Sequence, residues 1–157
     1  MKVDVLLVRY RACSTTPMAT WTLEFPYRRS VGPIIGAFLA GMAERRIVGV
    51  RTAAGRVLVP PLEYDPDTGE ETGELVDVSD TGVVERCAWI YEPLRDHPLD
   101  RPFAWALIRL DGADTAMLHA VDAGSSDAVA PGTKVRARWK DETEGKITDI
   151  ECFEVVA

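Results

Sequence analysis

Histidine and cysteine, on which most metal sites and much nucleophilic catalysis depend, are nearly missing: the chain has two histidines and three cysteines in 157 residues. Cys13, Cys87 and Cys152 are odd in number and far apart, which fits neither a disulfide framework nor a metal site and makes them small, mostly buried apolar residues. There is no Gly-x-Ser-x-Gly elbow, no Gly-rich phosphate loop and no Cys with a nearby His to activate it, so the chain alone is not expected to catalyse a reaction. No apolar run approaches the roughly 18 to 20 residues that would span a bilayer. Positive charge is short as well. With 18 Lys and Arg against 25 Asp and Glu, the net charge is −7, and the overall field that a single-strand nucleic-acid binder needs is absent. The segment Met1–Arg9 carries an acidic fourth residue and only a short apolar run, which makes a poor secretory signal and leaves cytoplasmic residence as the expectation.

What is present is globular, with 46% hydrophobic and 27% charged residues. The length admits one ordinary domain or two small ones, and the rhythm of the sequence suggests two modules, 1–74 and 75–157. Within residues 1–30, Val3, Val5 and Leu7 alternate before a turn-rich Ser14-Thr-Thr-Pro17, and a strand is expected at each end. From Gly32 the pattern changes. Val31, Ile35, Phe38, Leu39 and Met42 recur at helical spacing, Pro33 suits a first turn, and Arg45-Arg46 suits a helix C-terminus. This stripe either covers the module's own small core or docks on a partner protein.

A hairpin follows, Ile47–Arg51 and Arg56–Val59, turned at Ala53-Ala-Gly55 and stopped by Pro60-Pro61. Two Gly-ended turns, Arg51-Thr-Ala-Ala-Gly55 and Asp65-Pro-Asp-Thr-Gly69, have the layout of a zinc ribbon without its ligands. Zinc needs four N or S donors, and Arg51, Ala54, Asp65 and Thr68 do not supply them. Asp65 and Asp67 lack the ligand run and closing Glu of a calcium loop and read as turn chemistry. No zinc is expected, and chelators should leave the fold intact. A hairpin without metal lacks a stabilising contribution on the order of 10 kcal/mol, so it must be held by the helix, by the following module or by a partner.

After a polar hinge at Glu70–Glu74 the chain reads as strand and turn to its end. Five strands are expected near 82–92, 102–111, 115–122, 133–140 and 147–155, with one short helical turn in 125–130. Five strands with a short helix between the third and fourth describe an OB barrel. In Lys134-Val-Arg-Ala-Arg-Trp-Lys140 alternation puts Lys134, Arg136, Arg138 and Lys140 on one face. The plain reading is a solvated face over a buried Val135, Ala137 and Trp139; the functional one is a patch, with Arg101 and Arg109, for a CoA phosphate or an acidic partner. His97 reads as a loop histidine bonded to a carboxylate, His119 as a structural one, and Phe103 and Trp105 as core.

Val31–Leu39, Gly49-Val-Arg51, Gly55–Pro61, His97–Gly112 and Leu118–Asp122 together resemble an OB-fold family known mainly from acyl-CoA metabolism, in which a helix and a rubredoxin-like zinc ribbon precede the barrel. The resemblance implies a mostly β chain: a five-stranded OB barrel preceded by a helix and a degenerate, zinc-free ribbon. It also implies a partner, since such proteins bind thiolase-like enzymes, including thiolases and the aldolases of steroid side-chain degradation. The function so implied is that of a non-catalytic accessory subunit that helps shape the enzyme's acyl-CoA site, with direct acyl-CoA contact left open. The alternative is a free-standing OB module for acyl-CoA or a nucleotide.

Overall fold

The computed structural model describes residues 30–156; the strands expected in the N-terminal segment fall on 1–29, outside the described residues. From Gly32 onward the helix, a small sheet and a barrel form one compact unit.

Helix α1 spans Pro33–Ala43 with Pro33 in its first turn. Its N-terminus is satisfied from a distance: Glu63 Oε1 accepts Ile34 N–H at 3.1 Å and Ile35 N–H at 3.3 Å, placing a carboxylate at the positive end of the helix dipole. A Cβ on Gly32 would sit 2.0 Å from that oxygen, so only glycine leaves room for it. At the other end, Arg45 takes a left-handed φ of 57°, while Arg46 N–H donates to Gly41 O at 2.8 Å and Arg45 N–H to Met42 O at 3.0 Å. This is the Schellman arrangement with arginine in the position that glycine usually holds.

Strands β1 (Ile47–Arg51), β2 (Val57–Leu58) and β3 (Glu74–Val78) form an antiparallel sheet in the order β2-β1-β3. The expected hairpin is β1–β2, with β2 two residues shorter than read from the sequence. The third strand was not expected. Its sequence, Glu-Leu-Val-Asp-Val, half-buries only Val76 and Val78, which leaves little periodicity to detect. The small sheet therefore continues past residue 74, and the chain passes to the barrel at Ser79–Asp80.

The barrel comprises β4 (Thr81–Ile90), β5 (Phe103–Leu110), β6 (Ala116–Asp122), β7 (Lys134–Trp139) and β8 (Ile150–Val155), closed in the order β4-β5-β6-β8-β7. A 3-10 turn at Ser126–Ala128 lies between its third and fourth strands. All pairings are antiparallel except β6 with β8. This is the expected OB topology. A bulge between Val84 and Arg86 bends β4, and at Gly82 a Cβ would come within 2.5 Å of Arg109 O, so the closure there requires glycine. Val84, Ile108, Leu110, Met117, Val135 and Phe153 are among the fully buried interior residues.

The last strand starts three residues later than expected because Asp149 organises the preceding segment. Its buried carboxylate accepts backbone N–H groups from Glu144 at 3.0 Å, Gly145 at 2.7 Å and Lys146 at 2.9 Å, and Ile147–Asp149 form a 3-10 turn. Burial opposes ionisation of this carboxyl, but the three amides outweigh it and hold its pKa below the usual range.

The small sheet is joined to the barrel along the outer edge of β2. Val57 N–H donates to Asp114 Oδ2 at 2.8 Å and Asp114 N–H returns a bond to Val57 O at 2.8 Å. Thr115 Oγ1 accepts Val59 N–H at 2.8 Å and donates to Val59 O at 2.9 Å. A second tie runs from α1: Arg45 donates to Lys140 O at 3.1 Å and Asp141 O at 2.8 Å, and Thr143 Oγ1 donates to Ala43 O at 2.7 Å.

Asp149→Ala is expected to lower stability by about 2–3 kcal/mol, since it strips a charged acceptor from three amides. The loss should be largest near neutrality and shrink below about pH 4, because a carboxylate with depressed pKa contributes stability above its unfolded pKa and loses it as pH falls through the folded one. Urea unfolding measures it, and a change under about 0.5 kcal/mol, the ordinary range for a surface substitution, would refute the assignment.

Candidate interaction surface

The apolar stripe of α1 turns inward. Phe38 and Met42 lie in the main core beside Ile47, Leu39 packs against that core half-buried, and Ile35 is half-buried too. Val31 precedes the helix and is exposed. Phe38 and Met42 are buried within the chain itself, and Ile34 packs with Val50 and Leu58.

Part of the expected cationic patch, Arg101, Arg109 and Arg138, is ion-paired within the chain. Asp122 on β6 pairs with both Arg101 and Arg138, and Arg138 also reaches Glu151 at 2.9 Å and Glu154 at 3.6 Å. The hydrogen bond from Arg101, followed by its charge and the contribution of Arg138, holds the Asp122 carboxyl below the ordinary range against the opposing effect of burial. Arg109 pairs with Glu85 at 2.8 Å. Lys134 and Arg136 are exposed and outside any ion pair among the described residues. Alternation along β7 holds for buried Val135 and Ala137, but a bulge between Arg138 and Trp139 interrupts it, and Trp139 is half-buried.

Among the described residues His97 has no carboxylate partner, contrary to expectation. Its Nδ1 accepts Leu94 N–H at 3.2 Å, and its ring stands edge-on to Phe103 at 5.5 Å and Trp105 at 6.1 Å. This histidine pins the β4–β5 loop over a second small core of Leu99, Phe103, Ala120 and Cys152. Burial pushes the Cys152 thiol up to about 11, which keeps it protonated and inert near neutrality. His119 is buried edge-on to Phe153 at 5.4 Å; its Nδ1 has no partner among the described residues, and burial lowers its pKa.

The surface that sequence reasoning missed lies on the outer wall of β5 and β6. Leu107 and Leu118 are direct cross-strand partners and are 40% and 61% exposed. At the end of β4 the loop adds Tyr91 and Leu94, 72% and 70% exposed. The signal was there in Phe103-Ala-Trp-Ala-Leu-Ile-Arg-Leu110: a strand apolar on both faces within a closed barrel must show one of those faces outward. In OB barrels the face of the second and third strands, with the loop after the first, is where oligonucleotides and oligosaccharides are bound.

The metal that the resemblance implies for intact ribbons does not fit these residues. Arg51 is paired with Glu74 at 3.2 Å, Asp65 accepts Asp67 N–H at 2.9 Å, Thr68 accepts Glu70 N–H at 3.3 Å, and Ala54 has no donor. The Thr52 hydroxyl, buried and without a partner among the described residues, is a single neutral oxygen. No group of three or more His, Cys, Asp or Glu able to hold a metal occurs among the described residues. An ion pair between Arg56 and Asp67 joins the two turns instead.

Closed topology, strand order and the exposed outer wall define an OB-fold protein with an appended helix and sheet. Residues 75–140 match the family model described as the ChsH2 C-terminal OB-fold domain. The wider arrangement has the fold of DUF35 proteins. A DUF35-family protein of unknown function from Sulfolobus solfataricus aligns with a TM-score of 0.58 and 21% identity over 79% of this chain and 84% of its own. A chain of the Ltp2-ChsH2(DUF35) aldolase aligns with a TM-score of 0.58 and 21% identity over 82% of this chain and 98% of its own. No curated protein matches in sequence. No helix among the described residues is long and apolar enough to cross a membrane.

Stability is expected to rise with pH between about 5.5 and 7.5 through His119. Its depressed folded pKa means that the unfolded chain binds the extra proton as pH falls through about 6.5, so stability is lost on acidification. Thermal unfolding of the wild type and of His119→Leu across this window reads the effect; an equal slope in both would exclude it.

Proposed function

We propose that this chain is a non-catalytic accessory subunit that binds an acyl-CoA aldolase or thiolase-like enzyme of lipid or steroid degradation and helps shape its acyl-CoA site. The observation that carries the reading is the match of residues 75–140 to the ChsH2 OB-fold domain. The likeness to a chain from the Ltp2-ChsH2(DUF35) aldolase supports it. The outer wall supplies a physical motive: Leu107 and Leu118 gain from being covered, and their exposure in the free chain makes them the natural centre of a docking face. No zinc enters this reading.

The test is capture of the tagged chain from its native cells, with mass spectrometry and size-exclusion chromatography of what accompanies it. A thiolase-fold or aldolase protein is expected in fixed ratio. Leu107→Glu with Leu118→Glu should weaken that complex by at least about tenfold, the scale of a buried interface centre, while leaving the unfolding temperature of the free chain nearly unchanged. Recovery of a lone monomer would overturn the reading.

A second reading, a free-standing OB module for acyl-CoA or a nucleotide, draws on Lys134 and Arg136 standing outside ion pairs. Under it, the isolated chain binds a CoA thioester saturably and Arg136→Glu weakens the binding; an isolated chain that ignores CoA thioesters returns the choice to the accessory subunit.

A further inference from the structure

The small sheet has two edges, and the structure treats them differently. The β2 edge is covered by Asp114 and Thr115 of the barrel. The β3 edge is not: among the described residues, the backbone of 74–78 pairs with β1 alone. An uncovered edge presents a row of backbone donors and acceptors to any extended chain. Natural edges are commonly guarded by charge, proline or a bulge; β3 has no proline and no bulge, and its two charges, Glu74 and Asp77, are both acidic.

Two further observations describe what would fit. A groove of about 330 Å³ runs beside this edge, lined by Ala37, Ala40 and Gly41 of α1, by Val48, by Leu75 and Val76 of β3, and by the ion-paired Arg46 and Asp77. Leu75 is 44% exposed and, as the register partner of Val50, lies on the sheet face that α1 covers. The small alanines leave space there for apolar side chains projecting from an added strand on alternate positions. The surroundings are acidic. From Val57 to Glu85 the chain has nine acidic residues and no Lys, Arg or His. Glu74 and Asp77 are matched by Arg51 and Arg46, whereas exposed Glu70 and Glu71 stand outside any ion pair among the described residues.

We propose that the β3 edge is a docking site for an extended segment of another protein, in which apolar residues alternate with lysine and arginine, added to the sheet as a fourth strand. Backbone bonds to β3 hold it, apolar side chains fill the groove beside Leu75, and its cations meet the acidic loop at Glu70–Glu71. A second copy of β3 is disfavoured, because self-pairing would bring together two strands each bearing Glu74 and Asp77. The proposal does not depend on the aldolase reading, which concerns the opposite module.

The probe is a short synthetic peptide alternating valine with arginine and lysine, titrated into the full chain with its valine–glutamate counterpart as control. Saturable binding of the basic peptide alone is expected, with slowed hydrogen exchange at the outward amides of 74–78. Binding should fall by about tenfold with Glu70→Lys and Glu71→Lys together, or on raising salt to 1 M, as screening of exposed charges requires. Leu75→Lys, on an exposed side chain, tests the groove without threatening the fold. Failure to bind, equal binding of the acidic peptide, or protection elsewhere would overturn the proposal. So would outward amides of 74–78 already slow in the free chain, whether covered by its own N-terminal residues or, if concentration-dependent, by a second copy.

Discussion

The arrangement rests on the seam between β2 and the β5–β6 turn. Two residues, Asp114 and Thr115, satisfy the N–H and C=O groups of Val57 and Val59. A two-residue strand cannot sustain a sheet by itself. With its outer edge completed by the barrel, it holds β1, and β1 in turn supports α1 on one side and β3 on the other. The small sheet and helix are held by this seam, the Arg56–Asp67 pair and the Arg45 tie.

The same economy of charge governs the surface. Cations that read from sequence as a ligand patch are consumed by the fold: Asp122 takes Arg101 and Arg138, and Glu85 takes Arg109. The exposed pairs contribute little stability individually, while Lys134 and Arg136 stay outside ion pairs among the described residues. The apolar wall of β5 and β6 lies beside this partly paired surface, with Leu107 and Leu118 exposed.

Much of the architecture was legible in the residues. The barrel strands announced themselves because alternate positions such as Val135 and Ala137 really are interior, and α1 because Phe38 and Met42 recur at helical spacing. The OB family resemblance carried the order of modules. The parts that stayed hidden share a physical cause: they depend on groups distant in sequence. Glu63 caps a helix about thirty positions earlier, Asp149 delays β8 through three backbone amides, and β3 has almost no periodicity of its own. The partners of the candidate cations were hidden likewise, since Asp122 becomes a neighbour of Arg138 only once the barrel closes through β8.

The seam also sets an order of events. Its bonds join residues 56 and 57 positions apart, and the later ones occupy the turn between the second and third barrel strands. While the chain is being synthesised, the helix and all three strands of the small sheet leave the ribosome before that turn exists. They must wait as an incomplete half, with the apolar face of α1 and the edge of β2 open, until the middle of the barrel arrives to close them. The barrel is therefore the template on which the front half of this protein is assembled, although it is made last.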